Sequence, residues 1–162
     1  MSLFWRAVVV FAAAALPSFA NAQGLVEHRD IPLDMAQTMA NAALDQCRSM
    51  GFKVSVTVVD RGGLALVMLR EDGAGLHTPE GSDRKAYTAR TFSQPSAAFA
   101  KRLIDDPSVV GSREYSRVLA LAGALPIKVG NEVIGAIGVS GSPGKDDICS
   151  QAGIDKVADQ LK

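Results

Sequence analysis

Six residues on one short stretch carry most of the chemistry open to this sequence: His77, Thr78, Glu80, Arg84, Lys85 and Tyr87. His77 stands in Gly75-Leu-His-Thr-Pro-Glu80, at the expected entrance of a helix. Thr78 can cap that helix, with Pro79 at its first position, where a missing N–H costs nothing. A helix N-terminus offers free N–H groups and a partial positive charge. Spacings of four and three put Glu80, Arg84 and Tyr87 on one face. A neutral imidazole there can ligate iron, so His77 is the candidate metal ligand. Arg84, Lys85 and, further off, Arg70 can hold carboxylates. The same residues also suit an ordinary capped helix with surface charges.

The other candidates are weaker. His28 reads as a solvated side chain near the start of the mature chain. Asp60 ends a strand and is as readily a turn-former as a functional acid. Gly138-Val-Ser-Gly-Ser-Pro-Gly144-Lys145 invites a phosphate-loop reading, but Asp146 stands where Ser or Thr is needed and the glycine spacing is wrong. A turn into a helix is the better account, and it can still offer N–H groups to a carboxylate. No CxxC, CxxCH or HExxH occurs, and no Ser/His/Asp triad can be assembled.

The elements that must position these residues form one small domain behind a leader. Arg6, the apolar run Ala7 to Leu16 and Ala20-Asn21-Ala22 read as a signal peptide cleaved before Gln23. The apolar run is too short for a membrane anchor. The chain holds 17 Lys+Arg and 17 Asp+Glu, and cleavage removes only Arg6. That near-neutral balance does not attract nucleic acid or an anionic membrane. The mature chain keeps five aromatics, Phe52, Tyr87, Phe92, Phe99 and Tyr115, too few for a base-stacking surface. Its core must be aliphatic. Cys47 falls on a helical apolar stripe with Met39, Ala43 and Met50, which favours a buried, reduced thiol over a disulfide with Cys149.

Asp34 and Gln37 form a plausible capping box for a helix to Met50, ended by Gly51. Val54 to Asp60 alternates as a strand, and Ala65 to Arg70 returns as its hairpin partner. The His77 helix stops near Gln94-Pro95, and Ser96 can cap a third helix through about Leu103. Asp105 to Arg113 reads as irregular, with a short helix near Tyr115 to Leu121. Ala124 to Val129, interrupted by Pro126, suits an edge strand. Glu132 to Val139 is apolar enough for a central one. Asp146 to Leu161 reads as an amphipathic closing helix. This order gives an α+β fold, an antiparallel sheet backed by helices.

Val56-Thr-Val-Val-Asp-Arg-Gly-Gly63, Arg84-Lys-Ala-Tyr-Thr-Ala89, Gly123-Ala-Leu-Pro-Ile127 and Val133-Ile-Gly-Ala-Ile-Gly-Val-Ser-Gly141, followed by Asp146 to Ile154, resemble the GlcG/HbpS family of haem-binding and haem-degrading-domain proteins. The resemblance covers about Leu33 to Leu161. It implies a profilin-like or PAS-like three-layer α+β fold and a homo-oligomer, tetramer or octamer. It also implies haem or iron binding for the exported branch, which the leader and His77-Thr-Pro-Glu80 resemble. The expectation is a periplasmic or secreted haem (tetrapyrrole) binding protein. The alternatives are an enzyme acting on a small organic acid, with Glu80 or His77 as acid–base, and a sensory module for a membrane partner.

Overall fold

Four short runs rich in β-branched residues build the sheet. The structure, a computed structural model, describes residues 24–162, so the expected cleavage after Ala22 lies outside the described residues. Helix α1 (Leu33–Ser49) leads into strands β1 (Ser55–Val59) and β2 (Ala65–Arg70). Helices α2 (Thr78–Thr91) and α3 (Ser96–Asp105) follow, then β3 (Ala124–Val129), β4 (Glu132–Ser140) and α4 (Asp146–Asp155). The fold is α+β. The sheet order is β2-β1-β4-β3, every neighbouring pair antiparallel. Pro126 lies on an edge strand, where a missing N–H breaks no ladder.

The sheet is covered on both faces, and β1 shows how the sequence divides between them. All five of its residues are buried. Val56 and Val58 join the larger apolar core with Met39, Ala43 and Cys47 of α1, Ile137 and Val139 of β4 and Cys149 of α4. Ser55, Thr57 and Val59 face α2. The period-2 alternation of β1 is therefore aliphatic against hydroxyl-bearing, rather than buried against exposed.

Helix α2 can approach closely because the strand beneath it is nearly bare. On β4, Ala136, Gly138 and Ser140 face α2. A Cβ on Gly138 would stand 2.4 Å from the Ser82 carbonyl oxygen and 2.8 Å from the Ala86 nitrogen. The alternation in Ala136-Ile-Gly-Val-Ser140 thus has a packing reason: Ile137 and Val139 go to the α1/α4 side, and the small Ala136, Gly138 and Ser140 to the α2 side. Hydroxyls tie the second interface, Ser55 to Thr78 at 2.8 Å and Thr57 to Ser82 at 2.7 Å.

Several sequence expectations change. Cys47 is fully buried on its stripe, as expected, but it is disulfide-bonded to Cys149, with a Cα–Cα distance of 5.5 Å. The stripe reports burial, and Cys149 arrives on the opposing face of α4 by packing that no local pattern announces. Helix α1 starts at Leu33 with Pro32 at the cap and no side-chain cap bond, so the Asp34–Gln37 box does not form. Thr78 is inside α2, and His77 occupies the cap position. Pro107–Glu114 is a 3-10 helix, capped by Asp106, whose carboxylate accepts from the Ser108 N–H. The bond from the Ser108 hydroxyl, with the one from its N–H, holds the Asp106 carboxyl below its usual range. The expected helix at Tyr115 to Leu121 is absent. Its backbone is satisfied from outside, the Val118 carbonyl accepting from Arg84 and the Leu119 N–H donating to Thr88 Oγ1. The closing helix stops at Asp155, and a short 3-10 turn covers Ala158–Gln160.

Candidate functional site

The N-terminal ends of α2 and α4 open toward the same space. Between them, the 119–122 segment and Lys53, lies a cleft of about 630 Å³. That is within the usual span of small-molecule sites, about 300–1,000 Å³. Five of the six sequence candidates line it: His77, Thr78, Glu80, Arg84 and Lys85. Tyr87 does not. The turn of helix between Arg84 and Tyr87 carries the phenol over Gly63 at the β1–β2 hairpin, and Arg117 stacks on its ring at 4.2 Å. Arg70 donates to the Ala74 carbonyl and is also not among the lining residues.

The five occupy different depths. His77 is exposed at the mouth, in the loop turn that starts α2. Thr78 is buried; its hydroxyl donates to the Gly75 carbonyl, which leaves the Ser55 hydroxyl to donate to it. Arg84 is half-buried and occupied on two sides, by Glu80 at 2.9 Å and by the Val118 carbonyl at 2.9 Å. The Glu80 carboxylate is largely exposed, so this pair orients Arg84 more than it stabilises the fold.

Lys85 lies deepest. Its Nζ donates to Asp146 Oδ2 at 2.8 Å and to the Val139 carbonyl at 3.2 Å, and the pair is 3% and 9% exposed. Asp146 Oδ1 accepts from the Ser142 N–H at 2.8 Å and its hydroxyl at 2.6 Å. Every Asp146 lone-pair direction in use is therefore matched, which is the condition under which a buried pair is tolerated. Ser142 Oγ also lies 3.2 Å from Cys47 Sγ, so the disulfide abuts the floor of the cleft. Next along α4, Asp147 is half-buried; burial pushes its carboxyl up, partly offset by the bond it accepts from the Gly123 N–H.

Residues outside the sequence candidates complete the site: Lys53, Ser140 and Asp146, and an aliphatic wall of Leu119, Leu121, Ala122 and Pro143. The glycine-rich loop was a signal for part of this set, since Ser140, Gly141, Pro143 and Gly144 all line the cleft. Asp146 had none, because its partner Lys85 is 61 positions away.

A haem fits this residue set. The wall is apolar, His77 offers an imidazole at the mouth, and cations stand at several depths. Among the described residues no three His, Cys, Asp or Glu side chains cluster to hold a metal ion.

A family model described as "Haem degrading protein HbpS-like" matches residues 31–155. A Citrobacter freundii protein described as "Uncharacterized 15.0 kDa protein in dhaT-dhaS intergenic region" is 33% identical over 119 residues, 72% of this chain and 84% of that one. A double mutant of Streptomyces reticuli HbpS superposes with TM-score 0.77 at 36% identity, covering 88% of this chain and 97% of the other. The Klebsiella pneumoniae protein ORFY gives 0.78 at 29% identity, with 83% and 94% covered. A PduOC:heme complex gives 0.70 at 22% identity, covering 78% of this chain and 94% of that one; at that identity the likeness is one of fold.

Proposed function

The chain belongs to the HbpS-like family, and on that premise we propose that it is an exported protein that binds haem or a related tetrapyrrole, acting in the periplasm or outside the cell. The observation that carries the reading is the cleft: an aliphatic wall, an exposed imidazole and graded cations in one concavity. Leu119, Leu121, Ala122 and Pro143 would lie against the macrocycle, His77 would approach the iron, and Lys53 and Arg84 would meet carboxylates at the rim. Bound haem supplies a redox-active iron. The protein's own part is to exclude water along the wall and to orient the cations, Arg84 through Glu80 and the Val118 carbonyl.

Titration of the apoprotein with haem tests the reading. A saturable Soret band is expected, and its maximum should move in His77→Ala. A parent protein that leaves the haem spectrum unchanged at micromolar concentrations overturns the proposal. Mass spectrometry of the exported form should find Gln23 first; Met1 on the exported protein would refute the leader reading.

The same reading includes a homo-oligomer, a tetramer or octamer. Leu64, Leu76, Ile104, Tyr115 and Leu121 are all more than half exposed, more apolar surface than a small monomer usually shows. Light scattering should return a multiple of the chain mass; a monomer at micromolar concentration would remove this part.

A further inference from the structure

Ser140 ends β4 on the α2 face. It is 6% exposed and lines the cleft, yet its hydroxyl bonds no group among the described residues. Ser55 and Thr57, on the same sheet face, have their hydroxyls matched inside the protein, whereas the Ser140 oxygen is not sealed off and keeps an accessible face at the cleft. A Cβ on Gly81 would stand 2.6 Å from Ser140 Oγ, so the hydroxyl points at the first turn of α2.

Lys85 Nζ is bonded to the carbonyl of Val139, the residue before Ser140, and lines the same cleft. An ammonium has three donors. Asp146 and Val139 engage two of them. The surrounding field favours an anion. The N-termini of α2, 14 residues long, and α4, 10 residues long, both border this space. Each carries roughly half a positive charge. Lys53, Arg84 and Lys85 outnumber Glu80 and Asp146 among the charged lining residues. Asp146 offers little repulsion, since Ser142 and Lys85 already engage both its oxygens.

We propose that Ser140 Oγ and Lys85 Nζ form a subsite for a single carboxylate at the floor of the cleft. This rests on the cleft being the ligand site. The two groups donate to the carboxylate oxygens, and no bond is made or broken. Asp146 is a positioning residue that holds Lys85 in place. The carboxylate can belong to a tetrapyrrole side chain or to a small free acid.

Haem, haem dimethyl ester, sodium propionate and propionamide are the probes, titrated into the parent, Ser140→Ala and Gly81→Ala. Ser140→Ala strands no protein partner, so its fold should stand. Parent protein is expected to bind haem at least tenfold tighter than the ester, and propionate but not propionamide. Ser140→Ala should lose about tenfold for haem and propionate, the low end for one hydrogen bond to a charged group, and nothing for the ester. Gly81→Ala, whose methyl crowds Ser140 Oγ, should reproduce that pattern. If haem and ester bind equally and Ser140→Ala matches the parent, the subsite is overturned while haem binding survives. If haem fails to bind but propionate binding is lost in Ser140→Ala, the subsite stands and its ligand is a free acid. If neither haem nor propionate binds the parent, the subsite is overturned together with the haem reading.

Discussion

The two faces of the sheet are built on opposite rules. Toward α1 and α4 the interface is aliphatic, filled by Met39, Val56, Val58, Ile137 and Val139 and crossed by the Cys47–Cys149 disulfide. Toward α2 it is made of small residues and hydroxyls, with a buried Lys85–Asp146 pair at one end. The first interface gains from volume and loses when volume is removed. The second depends on matched polar groups and close approach, and loses when anything is added or left unmatched. That difference places the cleft: only the polar interface can end in an opening whose walls carry unengaged donors.

The sharpest way to break the contrast is to unmatch the buried pair. Asp146→Ala leaves the Lys85 ammonium buried without its partner and should cost about 3–5 kcal/mol in urea unfolding. Replacing both, as Lys85→Met with Asp146→Leu, should recover much of that loss. A double variant no better than the single would show the pair to be more than mutually compensating.

On the aliphatic face the same logic runs through volume. Ile137→Ala removes a fully buried side chain and should cost about 2–5 kcal/mol. Cys47→Ala with Cys149→Ala opens a link across 102 positions and should cost about 2–4 kcal/mol by thermal or urea melts. A peptide map showing free thiols in oxidised protein would remove the basis of that second figure. Gly138→Ala tests the other side. Its methyl meets backbone of α2, so adding one carbon should destabilise by about 1–3 kcal/mol. A neutral Gly138→Ala would mean that α2 is free to move away and that close approach is not what the small residues are for.

The smallest effect is electrostatic. Asp147 holds its proton to a pH above its ordinary 3.8, chiefly because it is half-buried. The folded state therefore binds more protons than the unfolded one in the window just above that value, and stability falls as pH rises through it. Asp147→Asn can keep the bond from the Gly123 N–H and should flatten this slope. Urea midpoints taken at half-unit steps upward from pH 3.5 should show the slope in the parent alone.

The sequence by itself determined the elements whose signals are local. Strand and hairpin patterns at Val54 to Arg70, the edge strand marked by Pro126, the central apolar strand at Glu132 and the helix entering near His77 all rest on neighbours within a few positions, and each lies close to where it was expected. The resemblance in the Val133 to Gly141 block extended this to the family and its layered α+β fold. Tertiary structure alone decided the rest. Lys85 reads as a cation open to a ligand's carboxylate until Asp146, 61 positions away, is folded against it. Cys47 reads as a lone buried thiol until α4 brings Cys149 within reach. Helix α2 is polar enough to look solvated, yet Thr78, Ser82 and Thr88 are buried because strand hydroxyls and loop backbone meet them. The physical reason is common to all three. A hydrogen bond, an ion pair or a disulfide needs two groups at one place, and only one of the two is visible in any local stretch of chain.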